Sequence, residues 1–483
     1  MIFNSVSFFV FLLVVISLYW TLPRRPRLWL LFASSLLFYG FWRVEFLPVM
    51  LLSAFTDYSI GLWLPKAQRP SRRLGLLLVS LTVNLGLLLY FKYLMFFADN
   101  AASLAQILGW DWSAPAWEII LPLGISFYTF QTISYTVDVY RGVVEPERDP
   151  ILYGTYVTFF PQLIAGPVLR ASEVLYQLTV RPTFSVEMFA SGVRRIILGL
   201  FLKVVLADGI APLVDHGFST PIESMSALDV WTLAFMFGFQ IYFDFSAYSH
   251  IAIGCGLLMG INFPENFAFP YAAHSPKDFW KRWHISLSSW IRDYLYLPLT
   301  GAKVGATGSR GGLGQATTDR RRNIALFLTW AIMGLWHGAN WTFVVWGLYH
   351  ATWVIAHRLI NPSLEAVPSH LRKPLGWAVS LPIAMLGWIP FRAESVSDVF
   401  AMYATVLNPS AYGAIGFREN TYLIAAILLL GIMFSWLTYR YVLEPLKGRP
   451  LLYRSISTVV LGVALAFDFI YLRPISQYIY FQF

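Results

Sequence analysis

Long apolar runs separated by short polar clusters fill this chain from end to end. An α-helix needs roughly 20 apolar residues to cross a hydrocarbon core, and by that measure the pattern predicts about eleven crossings. Ile2–Leu22 is the first, closed by Pro23-Arg24-Arg25-Pro26-Arg27. Leu28–Phe41 and Pro48–Leu64 follow, and then a basic loop with Lys66, Arg69, Arg72 and Arg73. Leu74–Phe97 carries Asn84 and Lys92; after the short loop Asp99–Trp112, Ile119–Val139 ends at Asp138, Tyr140 and Arg141. Between Ile151 and Arg195 the pattern fails. Phe159–Pro167 is too short to cross and holds Pro161 and Pro167. Irregular backbone is tolerated at membrane depth only when packed inside protein, so a re-entrant or buried segment is expected there. Ile196–Val214 contains Lys203 and Asp208, and Leu228–Phe245 ends among Gln240, Asp244 and Ser246. The last spans lie near Leu375–Trp388, Tyr422–Tyr439 and Ser457–Tyr471.

Two stretches differ from plain crossings. Over Pro276–Tyr296 helical spacing puts Phe279, Trp280, Trp283, Leu287, Trp290, Ile291 and Tyr294 on one face, with charged residues mostly opposite. This predicts an amphipathic helix in the headgroup plane, with His284 on the border between the faces beside Trp280 and Ser288. Ala331–His350 is long enough to span and sets His337 near its middle, with Trp336 and Asn340 beside it. On one continuous helix Asn340 and Trp341 fall a turn beyond His337, on the same face. Between these stretches, Gly301–Arg322 is rich in Gly, Thr and Arg without apolar periodicity, which predicts a flexible basic loop.

Composition narrows the class. Of 483 residues 57% are hydrophobic and 13% charged, against about a quarter charged in a soluble domain. The expectation is an all-α polytopic membrane protein, one integral domain over residues 1–483, with no soluble domain and no internal repeat. The 35 Lys+Arg against 26 Asp+Glu give +9, which in a membrane protein reads as topology and not as nucleic-acid binding. The Arg24–Arg27 and Lys66–Arg73 clusters sit two crossings apart and so share a side. The positive-inside rule makes that side the cytoplasm and places the N-terminus outside. Met1-Ile2-Phe3 lacks a basic leader, so the first run is expected to be a retained helix. Cys255 is the single cysteine, which removes any intramolecular disulfide.

The chemistry is carried by isolated polar residues. No Walker loop, nucleophile elbow, CxxC pair or HExxH motif occurs in the sequence. His337 and His350 lack a nearby carboxylate, so no metal site is expected. An ionisable group at membrane depth faces a protein interior or a wet cavity. His337 is therefore either a structural histidine bonded between helices or a proton-transfer group. Gly334, Gly338, Ala339 and Gly347 favour the second, because they let another helix or a substrate approach the backbone. Asp244 reads either as a buried acid bonded to a neighbouring helix or as part of a site. Lys203 is expected to snorkel or to pair with Asp208.

Several blocks carry a family resemblance. They are Leu121–Gln131, Asp138–Gly142, Phe160–Pro167, Gly199–Asp208, Tyr242–Ser246, Trp280–Ser288, Gly334–Ala339 and Ile479–Phe483. In this order they resemble the membrane-bound O-acyltransferases (MBOAT), most closely the bacterial branch that includes alginate O-acetylation and teichoic acid D-alanylation. His250 departs from the pattern, standing where relatives often carry an acid. The resemblance implies a central pocket reached by an acyl-coenzyme A from the cytoplasm and by an acceptor hydroxyl from outside. It assigns His337 as catalytic base and His284 as the second polar active-site residue. Asn340, Trp336, Trp341, Ser288, Gln131 and Asp244 become candidate substrate-binding positions. The function expected is O-acetylation of an extracytoplasmic polysaccharide, alginate-like or another exopolysaccharide, at the bacterial inner membrane. Acetyl-CoA would be the donor, no cofactor would be bound, and a periplasmic acetyl-transfer protein would act as partner. D-alanyl transfer or peptidoglycan O-acetylation on the same scaffold, and transport without chemistry, are the alternatives.

Overall fold

The computed structural model describes residues 1–180, 182–302, 318–364, 367–471 and 477–479. The centre of the expected loop Gly301–Arg322 and the last residues of Ile479–Phe483 lie outside these. Helices and the turns that join them make up the described residues, as the apolar periodicity predicts. Six helical stretches are long and apolar enough to cross a membrane: Val44–Lys66, Pro70–Ile107, Val186–Phe218, His370–Arg392, Glu419–Leu446 and Pro450–Ile470. Val6–Thr21 and Val396–Leu407 are apolar but shorter. The expected count of eleven goes beyond what length and composition support.

The helix Ala227–Leu258 is buried along most of its length and packs against Val186–Leu200. Where they meet, a Cβ on Gly192 would stand 2.8 Å from the Gly254 carbonyl, and one on Gly254 2.8 Å from that of Gly192. Small residues bring the backbones together here, the usual basis of helix packing in lipid. On the other side of the molecule, Leu47–Trp63, Pro70–Leu88 and Ile125–Arg141 form a group held by a polar core. Asp57 accepts the Thr136 hydroxyl and the Asn84 amide, each at 2.5 Å, and also the Ser80 hydroxyl. Asn84 in turn accepts Ser53 at 2.5 Å and Thr132 at 3.1 Å. A carboxyl at such depth persists because its oxygens are satisfied.

Phe159–Pro167 is buried throughout and runs as turns, in agreement with the expectation of irregular backbone packed inside protein. The amphipathic helix expected over Pro276–Tyr296 is instead broken. Pro276–Trp280 and Ile285–Ile291 are separate short helices, followed by one wide turn over Arg292–Tyr296. Phe279, Trp283, Leu287 and Trp290 face protein interior and not headgroups. A second correction concerns Ala331–His350, which is a hairpin of two helices, Asp319–His337 and Trp341–Leu364.

Candidate active site

The first helix of that hairpin ends on His337. Gly338 is extended at φ −158°, and Asn340 then caps the second helix by accepting the Thr342 N–H at 3.0 Å. An Asn that satisfies the first orphan donors of a helix starts a new one, and the apolar pattern alone does not reveal it. The two helices pack closely. A Cβ on Gly334 would strike the Phe343 carbonyl, and one on Gly347 the Trp330 carbonyl. His337 thus lies at a helix end and not in mid-helix. Its ring packs against Trp336, Trp346 and Phe391, with centroids at 4.8, 4.9 and 5.2 Å.

His337 opens on a small cleft. The other walls are Leu121–Phe127, Ile164, Trp336 and Lys92. Ile119–Val139 was expected to be helical from its start, but the helix begins at Ile125. Gly124 turns the chain at φ +75°, and a Cβ there would come within 2.6 Å of the Leu163 carbonyl. This contact joins the irregular strip before Ile125 to the broken segment Phe159–Pro167, and together they make the wall opposite His337. Above Trp336 the aromatic packing continues: Phe130 stacks on it at 5.0 Å, and Trp290 stacks on Phe130 at 4.0 Å.

His284 occupies the break in the Pro276–Tyr296 stretch. It adopts φ +42°, ψ +56° and is 1% exposed. Left-handed backbone is uncommon for any residue with a Cβ and clusters at functional sites. Here the surroundings impose it. Ile285 N–H donates to the Asn266 carbonyl at 2.9 Å and Ala268 N–H to the Arg282 carbonyl at 3.0 Å, which straps the loop before Pro270 along the break. Asn266 also bonds the His284 ring, with Oδ1 3.0 Å from Nδ1. His284 itself does not line the cleft, but Phe127, which does, lies 6.4 Å from the His284 ring and 5.8 Å from that of Trp336, the neighbour of His337.

The other sequence candidates have different surroundings. Trp336 is buried in the cleft wall. Trp341 is half exposed and donates its indole N–H to Asn100 at 2.7 Å, and Asn340 is exposed. Neither lines the cleft, because the helix they were assigned to ends before them. Ser288 donates to the Trp283 carbonyl at 3.2 Å and helps hold the break. Gln131 donates to the Tyr156 carbonyl at 2.7 Å, joining Ile125–Arg141 to Pro150–Thr158. Asp244 is bound to Lys203 at 2.7 Å and to the Ile479 N–H at 2.8 Å, away from the cleft walls. Lys203 pairs with Asp208 as well, at 2.9 Å, as expected. His350 is enclosed by Trp280, Trp330, Trp346 and Trp353. His250 lies 3.0 Å from the Arg195 guanidinium, which also pairs with Glu265.

Sequence reading missed Asn266, Ser286 and the part played by Lys92. The only signal for Lys92 was a charge within an apolar run, and Asn266 sits in a loop of ordinary composition.

Comparisons with known proteins bear on the family of the chain. The family model for membrane-bound O-acyltransferases matches residues 147–388, a span that includes both histidines. A protein named probable alginate O-acetylase from Azotobacter vinelandii is 38% identical over 456 residues, covering 93% of this chain and 87% of that protein. One of the same name from Pseudomonas aeruginosa is 40% identical over 412 residues, 84% and 75% of the two chains. A peptidoglycan O-acetyltransferase from Helicobacter pylori is 36% identical over 402 residues, 78% and 72%. A cleft walled by a histidine inside a helical membrane scaffold, a family match over half the chain and this extent of identity lead to one conclusion: the chain belongs to the membrane-bound O-acyltransferase family and is an O-acyltransferase.

Proposed function

We propose that this enzyme passes an acetyl group from cytoplasmic acetyl-CoA to the outer side of a bacterial cytoplasmic membrane, for O-acetylation of an alginate-like polysaccharide. The observation that carries the reading is the placement of His337 at a helix end, in the wall of the cleft. An alcohol is a weak nucleophile near neutral pH, and a neutral imidazole can take its proton as it attacks a thioester carbonyl. His337 is the general base in this reading, and His284, positioned by Asn266, orders the acceptor or the thioester beside it. The polysaccharide acceptor is suggested by relatives at 38% and 40% identity that are named for alginate O-acetylation. Peptidoglycan is the second acceptor class, because a relative at 36% identity is named for it. A periplasmic acetyl-transfer protein is the proposed partner that completes delivery to the polymer.

The donor enters from the cytoplasm, where coenzyme A is made. The basic clusters Arg24–Arg27, Lys66–Arg73 and Arg320–Arg322 then lie on that side and the N-terminus outside. Proteoliposomes of known orientation, given acetyl-CoA on one face only, test the whole proposal. With the partner protein and an acceptor polysaccharide supplied on the opposite face, acetyl should reach that face when the donor faces the basic loops. Transfer only from donor supplied at the other face would refute the route.

A further inference from the structure

Among the described residues, Lys92 is the only lysine or arginine in the cleft wall. It sits in the long helical stretch Pro70–Ile107, at a wide turn over Leu89–Tyr93 that carries one extra residue per turn. Such bulges are rare and occur often at functional sites. Here the bulge lets two consecutive side chains reach the same target. Lys92 Nζ donates to the Trp336 carbonyl at 2.5 Å and the His337 carbonyl at 3.1 Å, while the Tyr93 hydroxyl donates to the Leu335 carbonyl at 2.9 Å. The last carbonyls of a helix carry its negative end, so they favour an ammonium ion at this depth. No carboxylate pairs with Lys92 among the described residues. An ammonium has three N–H donors, and the carbonyls account for two of them. The third is not taken by a carbonyl, and the ammonium lies in the cleft wall, 5.8 Å from the Trp336 ring centre.

We propose that Lys92 is a further catalytic residue, supplying the positive charge that stabilises the oxyanion formed when a thioester is attacked beside His337. This rests on the reading of the cleft as the acyl-transfer site. In the step, the acceptor hydroxyl oxygen bonds to the thioester carbon and its proton passes to the His337 imidazole. The carbonyl electron pair moves onto oxygen, which accepts the Lys92 N–H. On collapse that pair re-forms the carbonyl, the carbon–sulfur bond breaks, and the thiolate leaves with the proton held by His337. The base and the electrophile are held in fixed register, because Lys92 is hydrogen-bonded to the backbone of His337 itself. Fixed donors aimed at developing charge in a water-poor site commonly make the largest single contribution to catalysis.

The test uses the full chain in lipid nanodiscs, with acetyl-CoA as donor and alginate oligosaccharides as acceptor, following thiol release per folded molecule. Lys92→Met should lower kcat about 100- to 1000-fold, the usual effect of deleting an oxyanion donor, with the donor KM within about threefold. Tyr93→Phe removes the neighbouring clamp without changing charge, and its kcat should stay within about threefold. Lys92→Gln keeps an N–H donor without the charge and should be intermediate; it serves if Lys92→Met does not fold. Equal losses in Lys92→Met and Tyr93→Phe would reduce the pair to a helix-end fastening and overturn the proposal. A loss confined to KM, or a wild-type kcat in Lys92→Met, would overturn it as well. A dead His337→Ala beside an active Lys92→Met refutes this inference alone, whereas an active His337→Ala refutes the cleft as the site.

Discussion

Asn266 fixes the chemistry of His284. The Asn266 Oδ1 accepts the Ser286 backbone N–H at 3.4 Å and the Ser286 hydroxyl at 2.9 Å, and it also lies 3.0 Å from the His284 Nδ1. A backbone N–H can only donate, so this oxygen is an acceptor and Nδ1 carries the proton. The amide nitrogen of Asn266 is engaged by Ser249 at 3.0 Å. His284 is therefore held in the tautomer whose basic nitrogen is Nε2.

Asn266→Leu breaks this arrangement at similar volume. It leaves buried donors without an acceptor, which costs about 1–3 kcal/mol in stability. Transfer per folded molecule should fall by about two- to fivefold, since an imidazole of free tautomer is productive only part of the time. Asn266→Asp keeps the acceptor oxygen and should retain more activity than Asn266→Leu. Full specific activity in Asn266→Leu would show that the orientation of His284 is immaterial.

The left-handed backbone at His284 separates catalytic from structural effects. Left-handed residues with a Cβ cost roughly 1–2 kcal/mol, and glycine avoids that cost. His284→Gly should melt at a temperature equal to or above that of His284→Ala, and both should lose most of their transfer. Lys281→Ala, at an exposed position on the same stretch, should leave transfer near wild type. A His284→Gly protein that melts well below His284→Ala would contradict the backbone assignment.

Gly347→Ala tests the hairpin that carries His337. Its new methyl group meets the Trp330 carbonyl, a backbone atom that cannot rotate away. Overpacking of this kind costs about 1–3 kcal/mol, so thermal stability in detergent should drop and the helix Asp319–His337 should shift. Gly462 meets no atom within 4 Å, and Gly462→Ala should be neutral or slightly stabilising. Equal melting temperatures for the two variants would argue against close packing at Gly347.

Asp244 should matter for folding more than for transfer. Its carboxylate and Lys203 are both almost wholly buried, and Asp208 and the Ile479 N–H complete the cluster. Removing one partner of a buried pair typically costs about 3–5 kcal/mol, because the other charge is left behind. Asp244→Asn should therefore reduce the amount of folded protein while the activity of each folded molecule stays close to wild type. A well-folded Asp244→Asn enzyme without activity would return this residue to the site.

The histidines and the broken segment were legible in the sequence because polar or proline-rich residues stand out inside apolar runs. The ends of the helices around them were not. Neither Gly nor Pro interrupts Trp283-His284-Ile285; the break there is imposed from outside by Asn266 and by the strap through Ala268. At His337 a continuous apolar pattern concealed a helix end that Asn340 creates by capping the next helix. The cleft was equally hidden, since Lys92, Leu121–Phe127 and Ile164 lie far from His337 along the chain and meet it only in the folded protein.

The most direct test of the account is acetyl transfer per folded molecule in His337→Ala and His337→Gln, with melting in detergent recorded alongside. General-base assistance contributes roughly 100- to 10,000-fold to a rate, so both variants should fold and lose transfer by about that factor. Glutamine retains hydrogen bonding but cannot take the proton. A well-folded His337→Ala enzyme with near wild-type specific activity would contradict the account.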